Sequence, residues 1–127
     1  EKYQQKISQA NKLIFIFPIW WNEMPAVVKG FIDKVMKMNF AYTVTKYGLE
    51  GKLNNIENAL VFSTSTSPTF YLKMFCGNAI KKVFLNSTLK QIGIKNRKWV
   101  NFGSITNSTP KLRENYLNSI PDILKKF

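Results

Sequence analysis

Two stretches of this 127-residue chain carry side chains whose types and spacing could do chemistry. Trp20 and Trp21 stand side by side just past the apolar run 13–17 and its closing Pro18. Residues 63–68 read STSTSP and follow a second apolar run, 59–62. In open α/β sheets, ligands bind beyond the carboxyl ends of the strands, and two large flat side chains there suit a flat aromatic ligand. The same rings can instead cap a core, since Trp is highly buried on average. A turn dense in hydroxyls can offer hydroxyl and backbone N–H groups to polar ring edges or phosphate oxygens. Such turns also close loops that hold no ligand.

The rest of the inventory excludes more than it supplies. The chain has no His and one Cys, Cys76. A Ser-His-Asp or Cys-His arrangement is impossible within it, and a zinc site lacks ligands, so no metal is expected. An internal disulfide lacks its second thiol, which fits a reducing, cytoplasmic setting. Cys76 reads as a small apolar packing residue. The carboxylates Glu23, Asp33, Glu50, Glu57, Glu114 and Asp122 are scattered, so no acid–base pair stands out. Chemistry from such a set needs a cofactor to carry it. Nineteen basic residues against seven acidic ones give a net charge of +12. That charge suits a polyanion, yet no basic run reaches five residues. The dispersion reads as a solvated lysine-rich surface rather than a nucleic-acid face. No apolar run approaches the ~20 residues of a membrane span, and no signal-peptide pattern opens the chain.

Periodicity gives the elements that must position these residues. The run 13–17 is short and unbroken, a strand buried on both faces, and Pro18 ends it. Pro25 suits the first turn of a helix. Met24, Val27, Val28, Phe31, Val35 and Met38 form that helix's apolar stripe, with Lys29, Asp33 and Lys37 of alternating sign on the other side. Residues 1–11 read as a helix with Tyr3, Ile7 and Ala10 on one side. Residues 40–52 read as an irregular aromatic loop, either a packed crossover or a cover for something. Residues 58–64 are a second strand. Residues 78–92 are a helix whose apolar face is Ile80, Val83, Phe84, Leu89 and Ile92, ended by a left-handed Gly93. Residues 98–104 are a third strand, with Trp99 assigned to packing. Thr109 caps a last helix and Pro110 sits in its first turn; Pro121 should kink or break it. Helices alternating with strands argue an α/β fold with a parallel sheet, and right-handed crossovers put helices on both faces. The length suits one domain, 1–127, burying about two-thirds of its unfolded surface. Three strands are few for a free-standing sheet.

FIFPIWWNEMPAVVKGFIDKV, followed by NFAY, resembles the signature of the NAD(P)H:quinone oxidoreductase family, the flavin-dependent DT-diaphorase type. The similarity is strongest over 11–42 and weaker over 70–84 and 88–102. It implies a flavodoxin-like three-layer parallel sheet. In that fold a strand, a phosphate-binding loop, a long helix and a second strand come first. None is present here, so the expectation is an amino-terminal truncation. The resemblance implies FMN or FAD as cofactor, NAD(P)H as hydride donor, a quinone-like acceptor, and a homodimer whose contact the 40–52 loop joins. It implies that Pro18, Ile19, Trp20 and Trp21 line the flavin. It implies that Thr64, Ser65, Thr66 and Ser67 hold the pyrimidine edge, where the family branch reads Thr-Thr-Gly-Gly; the hydroxyls are kept and the glycines are not. Tyr71 lies where the family has a tyrosine near flavin and substrate. Cys76 falls near where some members carry a histidine. Two other readings stay open: a non-catalytic flavodoxin-like electron carrier or ancillary regulatory subunit, and a basic polyanion-binding module.

Overall fold

The computed structural model describes residues 1–127. In chain order the elements are helix α1 (Lys2–Gln9), strand β1 (Lys12–Pro18), helix α2 (Ala26–Val35), strands β2 (Tyr42–Thr45) and β3 (Gly48–Gly51), strand β4 (Asn58–Thr64), helix α3 (Thr69–Met74), a π-helix (Ile80–Leu89), strand β5 (Asn96–Phe102) and helix α4 (Pro110–Lys125). Strands β1, β4 and β5 form a parallel sheet in that order. Pro18 pairs with Thr64 and Thr64 with Phe102, so the three carboxyl ends finish level.

Alternation along the strands sorts side chains to two faces. Leu13, Phe15, Phe17, Ala59, Val61 and Trp99 turn to a core shared with Ile32 and Val35 of α2. Phe84 of the π-helix, fully buried, meets Phe15 edge-on at 5.1 Å between ring centroids. Helix α1 joins this layer through buried Ile7 and through Gln4 Nε2, which donates to the Val35 carbonyl at 2.9 Å. On the opposite face Tyr116 of α4 stacks on Phe102, centroids 4.6 Å apart and planes 23° apart. Helices therefore cover both faces, as parallel crossovers demand.

Several local expectations give way to tertiary structure. Strand β1 is an edge strand, not buried on both faces: Phe17 is buried while Ile16 is 78% exposed. Ile14 and Ile16 line an apolar groove of about 510 Å³ with Tyr116, Leu117, Ile120 and Leu124 of α4. Pro25 takes the N-cap position of α2 rather than its first turn. The buried face of α2 is Ile32 and Val35, while Val27 and Met38 lie exposed. Residues 40–52 hold an antiparallel hairpin, β2 with β3, instead of an irregular loop. Helix α4 begins as expected, with Leu112 N donating to Thr109 Oγ1 at 3.2 Å, and runs unbroken through Pro121.

The helix expected over 78–92 is a π-helix across Ile80–Leu89. Its i→i+5 ladder makes each turn wider than an α-turn. Residues at i, i+4, i+5 and i+9 then share a face, and Ile80, Phe84, Leu85 and Leu89 are the buried ones. Val83, which an α-period places on the apolar side, is exposed. Gly93 ends this segment at φ +106°, the left-handed terminator foreseen.

Candidate functional site

The site is built where β1 and β4 leave the sheet. Proline closes β1 because it cannot donate to the ladder. The next residue resumes the pairing: Ile19 N donates to the Thr64 carbonyl at 2.8 Å. Trp20 and Glu23 then exchange backbone hydrogen bonds at 3.0 and 3.1 Å, closing a two-residue turn. Its central residues, Trp21 and Asn22, both have positive φ, 52° and 67°. A type I′ turn requires that sign at both positions. For Asn the cost is small, but for Trp the left-handed region is unfavourable by roughly 1–2 kcal/mol. The turn thrusts the Trp21 indole outward, 96% exposed, over the neighbouring loop.

That loop follows β4. Ser65 N donates to the Phe102 carbonyl at 3.1 Å, Ser104 N to the Ser67 carbonyl at 3.2 Å, and Ile105 N to the Ser65 carbonyl at 3.0 Å. Gly103 permits this closeness: a Cβ there would meet Thr69 N at 2.6 Å and Ser67 O at 3.1 Å. Behind the loop runs a chain of side-chain hydrogen bonds. Trp99 Nε1 donates to Ser63 Oγ at 2.7 Å, and Ser63 Oγ donates to Asn101 Oδ1 at 2.7 Å. Asn101 Nδ2 donates to Ser65 Oγ and to Thr69 Oγ1, both at 2.9 Å. Ser65 Oγ donates to the Ser67 carbonyl at 2.7 Å.

Between the aromatic turn and this loop lies a cleft of about 310 Å³, walled by Ile19, Trp21 and Asn22 on one side and by Ser65, Thr66 and Ser67 on the other. Tyr71 and Leu72 of α3, with Cys76, complete its lining. The volume sits at the lower end of small-molecule sites. The backbone N–H groups of Thr66 and Ser67 meet no acceptor within the chain. No Asp, Glu, Lys or Arg lines the cleft. The lining thus offers the unpaired amides and the hydroxyls of Thr66 and Ser67 beside the aromatic and apolar side chains of Trp21, Tyr71, Ile19 and Leu72. It fits a planar heteroaromatic ring with a polar edge. The larger groove beside α4 is almost wholly apolar and offers no such converging donors.

Six of the nine residues expected at the site meet here: Ile19, Trp21, Ser65, Thr66, Ser67 and Tyr71. Ser65 is only 4% exposed and its hydroxyl is committed inward, so its contribution to the cleft is as floor. Pro18 and Thr64 line the α4 groove on the other face instead. Trp20 is exposed at the base of the turn, outside the cleft. Cys76, read as packing, is half-buried and lines the cleft. Trp99 does pack against the core, and it also starts the hydrogen-bond chain. Asn22, Leu72 and Asn101 escaped the sequence reading. For Asn101 one signal was present, since Asn is depleted in strands and here interrupts a strand of apolar residues.

The sequence model of the flavodoxin-like fold family matches residues 1–127. An uncharacterised NAD(P)H oxidoreductase of Haemophilus influenzae is 26% identical over 108 residues, 85% of this chain and 54% of that protein. NAD(P)H dehydrogenase [quinone] 1 of Rattus norvegicus is 34% identical over 68 residues, 54% of this chain and 25% of that protein. Among solved structures, Smu.1420 from Streptococcus mutans superposes with a TM-score of 0.87 at 36% identity, covering 100% of this chain and 66% of that one. NAD(P)H:quinone oxidoreductase from Methanothermobacter marburgensis superposes with a TM-score of 0.77 at 27% identity, covering 89% of this chain and 55% of that one. The chain therefore spans about half the length of the H. influenzae relative and less of the rat one. Its level parallel strands, its helices on both faces and a family match along its whole length make it a member of the flavodoxin-like fold family.

Proposed function

We propose that this chain supplies the ring-binding half of a flavin-dependent NAD(P)H oxidoreductase, and that the protein reduces quinones or similar acceptors by two electrons. The observation that carries the reading is the convergence of Trp21, Tyr71 and the unpaired Thr66 and Ser67 amides on one cleft at the strand ends. The oxidoreductase names of the relatives support it.

The chemistry that bound FMN or FAD supplies is hydride acceptance at N5 from NAD(P)H and two-electron delivery to the acceptor. The chain's own part is binding and orientation. Trp21 and Ile19 form the wall along one side of the ring. Thr66 and Ser67 offer their amides and hydroxyls to its polar edge, where donors held in place by the loop need no reorganisation, unlike mobile water. Tyr71 stands at the open end, 45% exposed, where the nicotinamide and then the quinone must enter in turn. Its hydroxyl is the one phenol in reach of a proton moving to the acceptor. Beside Tyr71, the exposed aromatics Phe70 and Phe75, the latter with its ring 5.5 Å from that of Tyr71, support a homodimer that completes the pocket. Cytoplasmic location belongs to the same reading; no helix is long and apolar enough to cross a membrane.

The test is an absorption spectrum of the full-length protein purified with added flavin and then mixed with NADPH or NADH. Yellow protein that bleaches with one nicotinamide and recovers with a quinone upholds the proposal. The second reading, a non-catalytic electron carrier or regulatory subunit, is favoured by the lack of any charged side chain in the cleft; it gives yellow protein indifferent to both nicotinamides. Colourless protein overturns both and leaves the +12 surface and a polyanion partner as the next lead.

A further inference from the structure

We propose that Asn101 is the positioning residue of the cleft: it fixes the 65–67 loop so that the Thr66 and Ser67 amides stay turned toward the ligand. The inference rests on the flavin-site reading for its ligand and on geometry for everything else.

The direction of every hydrogen bond behind the loop is set by one group. An indole N–H can only donate. Trp99 Nε1 therefore makes Ser63 Oγ an acceptor, and the single Ser63 hydrogen goes on to Asn101 Oδ1. With its oxygen so occupied, Asn101 presents both Nδ2 hydrogens to the loop, one to Ser65 Oγ and one to Thr69 Oγ1. Ser65 Oγ, now an acceptor, passes its own hydrogen to the Ser67 carbonyl. The order runs one way, from β5 through β4 into the loop. It leaves the Ser67 carbonyl saturated, since Ser104 N also donates to it. The Thr66 and Ser67 N–H groups take no part in the chain, nor do those of Thr69 and Phe70 that open α3, and of these four residues Thr66 and Ser67 are the ones that line the cleft. Asn101 is the only member of this chain tied at once to β4, to the loop and to the first residue of α3.

A donor is required at position 101, not merely a polar side chain of that size. Asn101→Asp keeps the shape and still accepts from Ser63, but it cannot donate. Ser65 has one hydrogen, which must then serve either the new carboxylate or the Ser67 carbonyl. Asn101→Ala removes the contacts and the volume together.

The experiment compares the unmodified chain with Asn101→Asp, Asn101→Ala, Ser65→Ala and the Asn101→Ala/Ser65→Ala double variant. Amide hydrogen exchange without ligand reads the seating of the loop at Ser65, Ser104 and Ile105, whose N–H groups bond across to it. FMN titration reads the cleft. Both Asn101 variants are expected to exchange about tenfold faster at those amides and to bind FMN about tenfold more weakly. Val61 and Phe62 should stay protected, and the double variant should bind no worse than the weaker single one. Native exchange and native affinity in Asn101→Asp overturn the proposal. So do multiplicative losses in the double variant, or faster exchange with unchanged affinity. If the unmodified full-length protein binds no FMN, the flavin reading fails, and the exchange at Ser65, Ser104 and Ile105 alone decides whether Asn101 holds the loop.

Discussion

Ile19 N lies 2.8 Å from the Thr64 carbonyl, so β1 and β4 part company one residue beyond the proline that ends the strand. The two exits leave from a common point, one rising into the aromatic turn and the other into the hydroxyl loop. A cleft follows from their divergence. Its walls differ in chemistry because the two exits differ in sequence.

On the flavin reading proposed above, the Trp21 ring, 96% exposed, serves the ligand and not the fold. Trp21→Ala should leave the unfolding midpoint nearly unchanged and weaken FMN binding by roughly two- to tenfold, the worth of one aromatic contact of ~0.5–1.5 kcal/mol. Trp21→Gly deletes the same ring but takes φ 52° without a Cβ penalty. It should bind as poorly as the alanine variant while being about 1 kcal/mol more stable than it in urea denaturation.

Gly103→Ala tests the close packing of β5's exit against the loop. The new methyl carbon meets backbone at Thr69 N, 2.6 Å away, where no flexible side chain can yield. Thermal denaturation should show a loss of about 1–3 kcal/mol, with weaker FMN binding in the fraction that folds.

Phe84→Ala should be the most damaging single change in the core. Phe84 is fully buried and touches both Phe15 and Phe17. A loss of about 3–5 kcal/mol is expected from denaturant unfolding.

Burial against the sheet raises the Tyr116 phenol above its ordinary value of 10.0. The folded state thus holds this proton when the unfolded state has released it. Stability from this group is complete below pH 10 and declines as pH rises from 10 through the folded value. Tyr116→Phe keeps the ring for its stack on Phe102 and should remove that part of the alkaline decline, read as a shallower fall in unfolding midpoint above pH 10.

Much of this could be read before any coordinates. Strand β4 was plain in the sequence because 59–62 is uninterrupted and central, and its bounds agree with the expectation. The level ends of the strands follow from Pro18 and the STSTSP turn. The hairpin was missed because its strands are four residues long and its turn, Lys46-Tyr47, lacks the Asn-Gly or Asp-Gly signal. The π-helix was missed because the apolar residues of 80–92 also satisfy an α-period, and Val83 matched that wrong template. Asn101 carried only the weak signal of an Asn in a strand, and its role was hidden for a different reason. Its value lies in Ser63, Ser65 and Thr69, three residues that only pairing in the sheet brings to it.

Taken by themselves, residues 1–127 leave the outer edge of β1 without a partner strand, and this has a colloidal consequence. Its open row of amides and carbonyls, with Ile14 and Ile16 standing out beside it, is a template for sticking to other copies. Mutual repulsion from the +12 charge of these residues works against that contact. Added salt shortens the reach of that repulsion to about 10 Å at 0.1 M and leaves the greasy edge untouched. Turbidity of residues 1–127 should therefore rise with ionic strength, so that the gentler buffer is the emptier one.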